Sequence, residues 1–234
     1  DLPNIENVAM PLLPSERIRL TAGSTTSFDA GRGCPFTCSF CTIINVQGQK
    51  SRQRSIQSIE NIIRDNVKQG LSSFFISDDD FARNKNWESI LDKFIELREV
   101  HKLKISFTIQ VDTLCHNLPG FIEKSGRAGV KRAFIGLENI NPDSLLGASK
   151  RQNKITDYRA MLLAWKKVGV ITCCGYILGF PSDTQESILR DIEIIKKELP
   201  VDLLEFFYLT PFPGSEDHKK LHIAGVAMDQ DLNM

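Results

Sequence analysis

The chain has 234 residues, with 29 Lys and Arg balanced by 29 Asp and Glu, 41% hydrophobic and 25% charged residues. This balance excludes a disordered or collagen-like chain and suits one large globular domain, a length that α/β barrels often use. Zero net charge argues against bulk phosphate binding, so no nucleic-acid partner is expected, and no apolar run approaches the roughly 18 residues of a membrane span. The opening Asp1-Leu2-Pro3 and the polar run Asp229-Gln230-Asp231 before Met234 read as an excised domain with flanking parts missing. Six cysteines are too sparse for a disulfide scaffold. Three of them crowd together, which points to a metal site in a reducing compartment, so a cytoplasmic location is expected.

Residues 1–24 carry Pro3, Pro11 and Pro14 with little periodicity and read as a linker or lead-in. A first strand is expected near Ser27–Gly31. Ile56, Ile59, Ile62, Ile63 and Val67 follow helical spacing and stop at Gly70; strand Ser73–Ile76 follows. Trp87, Ile90, Leu91 and Phe94 predict a second helix with Asn86 as N-cap. Then come strand Ile105–Ile109, a helix from Leu118 to Ala128 ending at Gly129, and strand Arg132–Leu137. Tyr158, Met161, Leu162, Trp165 and Val168 predict a fourth helix, followed by strand Ile171–Leu178. Ile188, Ile192, Ile195 and Leu199 predict a fifth, with Ser182 and Gln185 as a capping box. Leu203–Leu209 is the last strand. Six β units joined by five helices imply parallel strands with right-handed crossovers. A doubly wound sheet and a barrel both fit, and in either the site lies at the carboxyl ends of the strands.

Cys34, Cys38 and Cys41 stand at C-x3-C-x2-C spacing just after the first strand. Three thiolates there can hold a [4Fe–4S] cluster and leave one iron without a protein ligand. Zinc is the rival metal, but a structural zinc site wants four ligands and no fourth Cys or His follows at finger distance. The remaining reading is three unrelated buried cysteines. Cys173 and Cys174 sit inside a strand and read as small hydrophobes; Cys115, after the third strand, is a weak site candidate. Trp87 and Trp165 fit helix faces as core. The four histidines lack metalloprotease spacing, and P-loop, dinucleotide and nucleophile-elbow motifs are absent.

The run Cys34-Pro35-Phe36-Thr37-Cys38-Ser39-Phe40-Cys41 resembles the signature of radical S-adenosylmethionine enzymes, and the resemblance covers roughly Ser27–Gly214. It implies a partial (β/α)6 TIM-like barrel of parallel strands, a site-differentiated [4Fe–4S] cluster and bound S-adenosylmethionine, whose one-electron cleavage gives a 5′-deoxyadenosyl radical. It also implies an electron donor such as flavodoxin or ferredoxin, and a substrate that the sequence leaves unknown. Within the superfamily, Asp78-Asp79-Asp80-Phe81, Gly136-Leu137-Glu138-Asn139, Gly175–Pro181 and Leu209–Gly214 resemble the cobalamin-binding branch. Cobalamin would then be held by a domain absent from this chain, and the resemblance then implies methyl transfer to an unactivated carbon or, as in other members of the branch, rearrangement or ring-forming radical chemistry.

The resemblance assigns further residues. Phe40 is the aromatic residue of the motif and should lie near the adenine. Asp78 and Asp79 stand where the family usually has Gly-Gly-Glu-like residues that contact the methionine amino group; the competing reading is a solvated turn. Glu138 is placed to hydrogen-bond ribose hydroxyls, against the alternative of a helix N-cap. Gly175–Pro181 is the adenine-contacting segment, with Tyr176 and Gly179 as candidates, and is also compatible with a tight strand-to-helix turn. Arg151 could grip the methionine carboxylate, although Lys150–Lys154 also reads as a solvated loop. Lys50, Arg52 and Arg54 read as surface charge, with contact to phosphate or a partner as the competing reading. The expected organisation is a lead-in over 1–24, the barrel over 25–215 and the start of a truncated C-terminal segment over 216–234. The alternatives are methylthiotransferase-like tRNA modification, which would call for a second cluster domain and a basic RNA-binding module, and a non-enzymatic iron–sulfur electron-transfer protein.

Overall fold

Six parallel strands form one sheet in the order β1 (Thr25–Phe28), β4 (Ser73–Ile76), β5 (Ser106–Val111), β6 (Val130–Glu138), β7 (Ile171–Leu178) and β8 (Leu203–Tyr208) in a computed structural model that describes residues 2–228. Each strand pairs with the next β unit in sequence, and β1 and β8 remain as the two edges, giving a partial, open TIM-like barrel. The crossovers are α3 (Ile56–Lys68), α4 (Trp87–Glu99), α5 (Phe121–Ala128), α7 (Ile155–Lys167) and α8 (Gln185–Glu198). Residues 229–234, the end of the expected C-terminal segment, lie outside the described residues; within that segment α9 (Glu216–Ile223) is helical.

Strand alternation separates two faces. On β5, Phe107, Ile109 and Val111 are buried beneath the helices, while Ser106, Thr108 and Gln110 are only partly covered. The core between sheet and helices includes Phe74, Phe94 and Phe107, whose rings stack at 5.7 and 4.1 Å. Burying each such side chain stabilises the fold by about 1.5–3 kcal/mol. Trp87 and Trp165 both meet Phe121 edge-on in this layer, as core residues. Gly70 and Gly129, with φ of +78° and +95°, stop α3 and α5 in the left-handed region that glycine tolerates.

Several local expectations change. The lead-in contains α1 (Ser15–Ala22), started after Pro14 and anchored by buried Ile18. The first strand ends at Phe28. Gly31-Arg32 leaves the sheet as β2 and pairs antiparallel with β3 (Arg52–Gln53). Asn86 occupies the N-cap position of α4 without capping through its side chain; instead its N–H donates to Asn84 Oδ1 at 2.9 Å. The capping box of α8 is Thr184 with Ser187 rather than Ser182 with Gln185. Arg54 is buried, 2% exposed, and donates to Asp29 Oδ1 at 2.8 and 3.0 Å and to the carbonyl of Val8 at 2.6 Å. It therefore fastens the lead-in to the barrel and is not a surface charge.

Candidate metal and cofactor site

The cysteine loop runs from β2 to α2 (Ile43–Val46) at the carboxyl end of the barrel. Gly33 opens it at φ +104°, where a Cβ would fall 2.7 Å from the Lys50 carbonyl, so the turn excludes a side chain. The Gly33 N–H donates to Asp79 Oδ2 at 2.7 Å, and the Ser39 N–H to the Ala148 carbonyl at 3.0 Å. Held at both ends, the loop turns Cys34, Cys38 and Cys41 onto one cavity of about 170 Å³, which Asp79, Asp80, Asp112, Glu138, Lys150 and Gln152 also line. Gln152 Nε2 donates to Cys38 Sγ at 3.4 Å. Burial pushes the Cys34 thiol up to about 12 and raises Cys41 as well. Cys34 and Cys41 are therefore protonated when metal-free, and metal loading releases those two protons. Among the described residues, no three His, Cys, Asp or Glu side chains converge on a point that suits a single ion.

The three consecutive aspartates do three different things. Asp78 is buried; its Oδ1 accepts from the N–H groups of Ala30 (2.6 Å) and Gly31 (2.8 Å), and its Oδ2 from Asn84 Nδ2 (2.9 Å). It latches the end of β4 to the turn after β1 and is not among the residues lining the cysteine cavity. Asp79 holds Gly33 and borders the cavity. Asp80 is 5% exposed, and its Oδ1 has no hydrogen-bond partner. Burial and the nearby Asp112 charge push the Asp80 carboxyl well up. Asp112 is itself clamped by Arg83 through two bonds of 2.6 and 2.8 Å.

Burial pushes the Asp78 carboxyl up to about 7, against the pull of its three N–H donors. A folded-state value above the unfolded value of about 4 means that the native state holds the extra proton between them. Its contribution is full below about pH 4 and is lost as the pH rises through about 7. Chemical denaturation across pH 4–8 should show this decline in the natural chain and a flatter profile in Asp78→Asn.

Glu138 ends β6 with φ +64°, a strained backbone for a residue with a side chain, at a register shift between β6 and β7. The carbonyls freed there are met by Asn153 Nδ2, which donates to Gly136 and Leu137 at 3.0 and 2.7 Å, and by the Tyr158 hydroxyl on Leu137 at 3.1 Å. The twist turns Glu138 Oε1 to Lys150 Nζ at 2.5 Å, in a pair only 12% and 10% exposed. Lys150 Nζ also lies 5.8 Å from the centre of the Phe40 ring. Glu138 is no helix cap: Asn141 caps α6 (Pro142–Gly147). Arg151, the sequence candidate, is exposed, and its neighbour Lys150 occupies the cavity. A Cβ at Gly136 would sit 2.5 Å from Glu138 Oε1 and 3.2 Å from Lys150 Nζ. Gly136→Ala should push this pair apart and destabilise the fold by about 1–3 kcal/mol, read by chemical denaturation.

Phe40, Phe134 and Glu138 are shared with a second cavity of about 450 Å³, lined also by Gly175, Ile177, Phe207 and Leu209. Tyr176 alternates to the helix side of β7. It is 1% exposed, and its hydroxyl donates to Asn139 Oδ1 at 3.3 Å, so it does not face either cavity. Gly179 likewise lies outside both; it lines a third space of about 510 Å³ beside α6 and α9, and its N–H donates to Asp183 Oδ2. Cys115 is fully buried in the core, and Cys173 Sγ donates to Glu205 Oε1 at 2.9 Å on β8. Sequence reasoning did not assign Lys150, Gln152, Asn153 or Asp112 to the site. The only signal for the first three was the polar run before α7, of which positions 150, 152 and 153 fold inward.

A parallel, open barrel carrying three thiols on the loop after its first strand defines a cysteine-ligated cofactor protein of α/β-barrel type. The Radical SAM superfamily model matches residues 29–195. The chain belongs to that superfamily, whose cofactors are a [4Fe–4S] cluster and S-adenosylmethionine. It is 30% identical over 193 residues to the bacteriochlorophyllide d C-12(1)-methyltransferase of Chlorobaculum tepidum, covering 80% of this chain and 40% of that protein. It is 28% identical over 224 residues to an uncharacterised methyltransferase of Pyrococcus horikoshii, covering 92% and 46%. The fold matches the radical S-adenosylmethionine methyltransferase TsrM from Kitasatospora setae, solved with cobalamin and a [4Fe–4S] cluster, at TM-score 0.76 and 18% identity over 88% of this chain and 41% of that one. The chain thus spans less than half the length of these relatives. The residues present fit the cofactor pair: three thiols border one cavity, and the buried Asp80 Oδ1 is left without a partner at its wall. Among the described residues, no helix is long and apolar enough to cross a membrane.

Proposed function

We propose that this chain is the catalytic barrel of a radical S-adenosylmethionine methyltransferase of the cobalamin-linked type. The observation that carries the reading is the convergence of Cys34, Cys38 and Cys41 on one cavity that shares Phe40, Phe134 and Glu138 with a second, mostly apolar one. Thiols spread around a shared space suit a multi-iron cluster better than a single zinc ion. When bound, the cluster and S-adenosylmethionine supply one-electron cleavage of the sulfonium.

The chain's own residues divide the cofactor between the two cavities. Asp80, with its unpartnered oxygen, and Asp79 face the methionine amino group; a carboxylate beside an ammonium forms a strong charge-assisted bond. Lys150 takes the methionine carboxylate in place of Arg151. Glu138, held by Lys150, meets the ribose hydroxyls, and Phe40, Ile177 and Leu209 form the apolar seat of the adenine. Gln152 donates to Cys38 sulfur and orients it toward the cavity. A reductant such as flavodoxin or ferredoxin would supply the electron in a reducing, cytoplasmic setting. The methyl-transfer assignment draws on relatives named as methyltransferases.

Anaerobic reconstitution with iron and sulfide, followed by electron paramagnetic resonance of the reduced protein, tests the reading. A [4Fe–4S]+ signal that changes on adding S-adenosylmethionine is expected. A cluster signal indifferent to it would favour plain electron transfer, and zinc without a cluster would overturn the assignment.

A further inference from the structure

The second cavity has a wall that the cofactor reading does not use. We propose that Phe134, Phe207 and Phe212, closing around the bare backbone at Gly175, bind an uncharged, planar ring system as the substrate of this barrel. Calling that ligand the substrate rests on the proposed function; the binding site itself does not.

The interior of a closed α/β barrel is filled by branched side chains. Here the concave side carries aromatic rings that are left partly open, with Phe207 44% and Phe212 58% exposed. Phe134 on β6 and Phe207 on β8 meet edge to face, with centroids 6.4 Å apart and planes at 75°. Between them β7 presents Gly175, whose added Cβ would lie 3.1 Å from Phe134 Cζ and 3.4 Å from Phe207 Cε2. The glycine lets both rings close onto the β7 backbone, so the wall offers the cavity a continuous aromatic surface against which a flat guest can lie. The single charged residue lining this space is Glu138, which is already paired with Lys150 at 2.5 Å. A charged guest would therefore be desolvated without a counter-charge, which is strongly unfavourable. Phe134 borders both cavities, so a ring held on this wall abuts the cysteine site.

The test uses the reconstituted chain and the uncharged fluorophore N-phenyl-1-naphthylamine. Saturable binding is expected, weakened about tenfold or more by Phe207→Leu, which keeps bulk but loses the flat ring, and by Gly175→Val, which forces the rings off the β7 backbone. Phe206→Leu, on the outer face of the same strand against Tyr176, should leave binding unchanged. Naphthalene-1-sulfonate should bind at least tenfold more weakly than the neutral probe. The proposal is overturned if the probe binds Phe207→Leu and Gly175→Val as well as the natural chain, if the sulfonate binds equally well, or if S-adenosylmethionine displaces the probe completely, which would give the wall to the cofactor. Failure of the spectroscopic response to S-adenosylmethionine, with probe binding intact and variant-sensitive, would instead count against the proposed function alone.

Discussion

Cys38→Ala should abolish cluster assembly, lowering bound iron and sulfide after reconstitution by about tenfold or more and erasing the reduced-state paramagnetic signal. Three thiols are the whole protein ligand set offered by the cysteine cavity, so losing one leaves two, which do not hold a cubane. The carboxylates that border the cavity are poor substitutes, because such clusters are held by cysteine sulfur, and Asp79, Asp112 and Glu138 are already engaged by the Gly33 N–H, Arg83 and Lys150. Cys34→Ala and Cys41→Ala should behave the same way. Cys173→Ala is the matched control, because that thiol is bonded to Glu205 on β8 and lines neither the cysteine cavity nor its neighbour. Iron content that survives in Cys38→Ala would show that the cluster assignment is wrong.

Lys150→Ala has the second largest expected effect, on stability and on cofactor affinity together. Removing the ammonium leaves Glu138 buried in a strained backbone with no counter-charge, and breaking a buried pair by deleting one partner costs about 3–5 kcal/mol. The lost contact to a bound carboxylate, a charge-assisted bond of about 1.5–3 kcal/mol, adds a weakening of S-adenosylmethionine binding of roughly 10- to 100-fold. The double variant Lys150→Ala with Glu138→Gln should recover part of the stability, since the stranded charge is gone, but none of the affinity. Arg151→Ala should change neither quantity. Denaturant titration and equilibrium binding separate the two effects, and equal losses in Lys150→Ala and Arg151→Ala would sink the assignment of Lys150.

The contrast between these adjacent residues shows where one-dimensional reading stopped. Lys150-Arg151-Gln152-Asn153-Lys154 is a uniform polar run in sequence. In the fold, Lys150, Gln152 and Asn153 are each 8% exposed while Arg151 is exposed. The loop lies over the cysteine segment, and Lys150, Gln152 and Asn153 point at Glu138, Cys38 and the carbonyls of Gly136 and Leu137 respectively. Periodicity carries no information on which side of an irregular loop will meet a neighbour distant in sequence. Asp78 and Tyr176 teach the same lesson. Both stand at the right strand ends, but backbone donors consume Asp78, and the pleat of β7 turns Tyr176 to the helices.

What the sequence determined by itself is the framework: the β-α alternation and the strand and helix periods, because apolar spacing is a local consequence of backbone geometry, and the cysteine triplet, because all three ligands sit on one short loop. Tertiary structure decided the rest. The open edges of the sheet, the left-handed Glu138 and its partner Lys150, the division of labour among three aspartates and the aromatic wall over Gly175 all depend on contacts between different elements, from about a dozen to more than seventy residues apart. Those contacts are set by how strands align and loops fold over one another, and no local pattern encodes them.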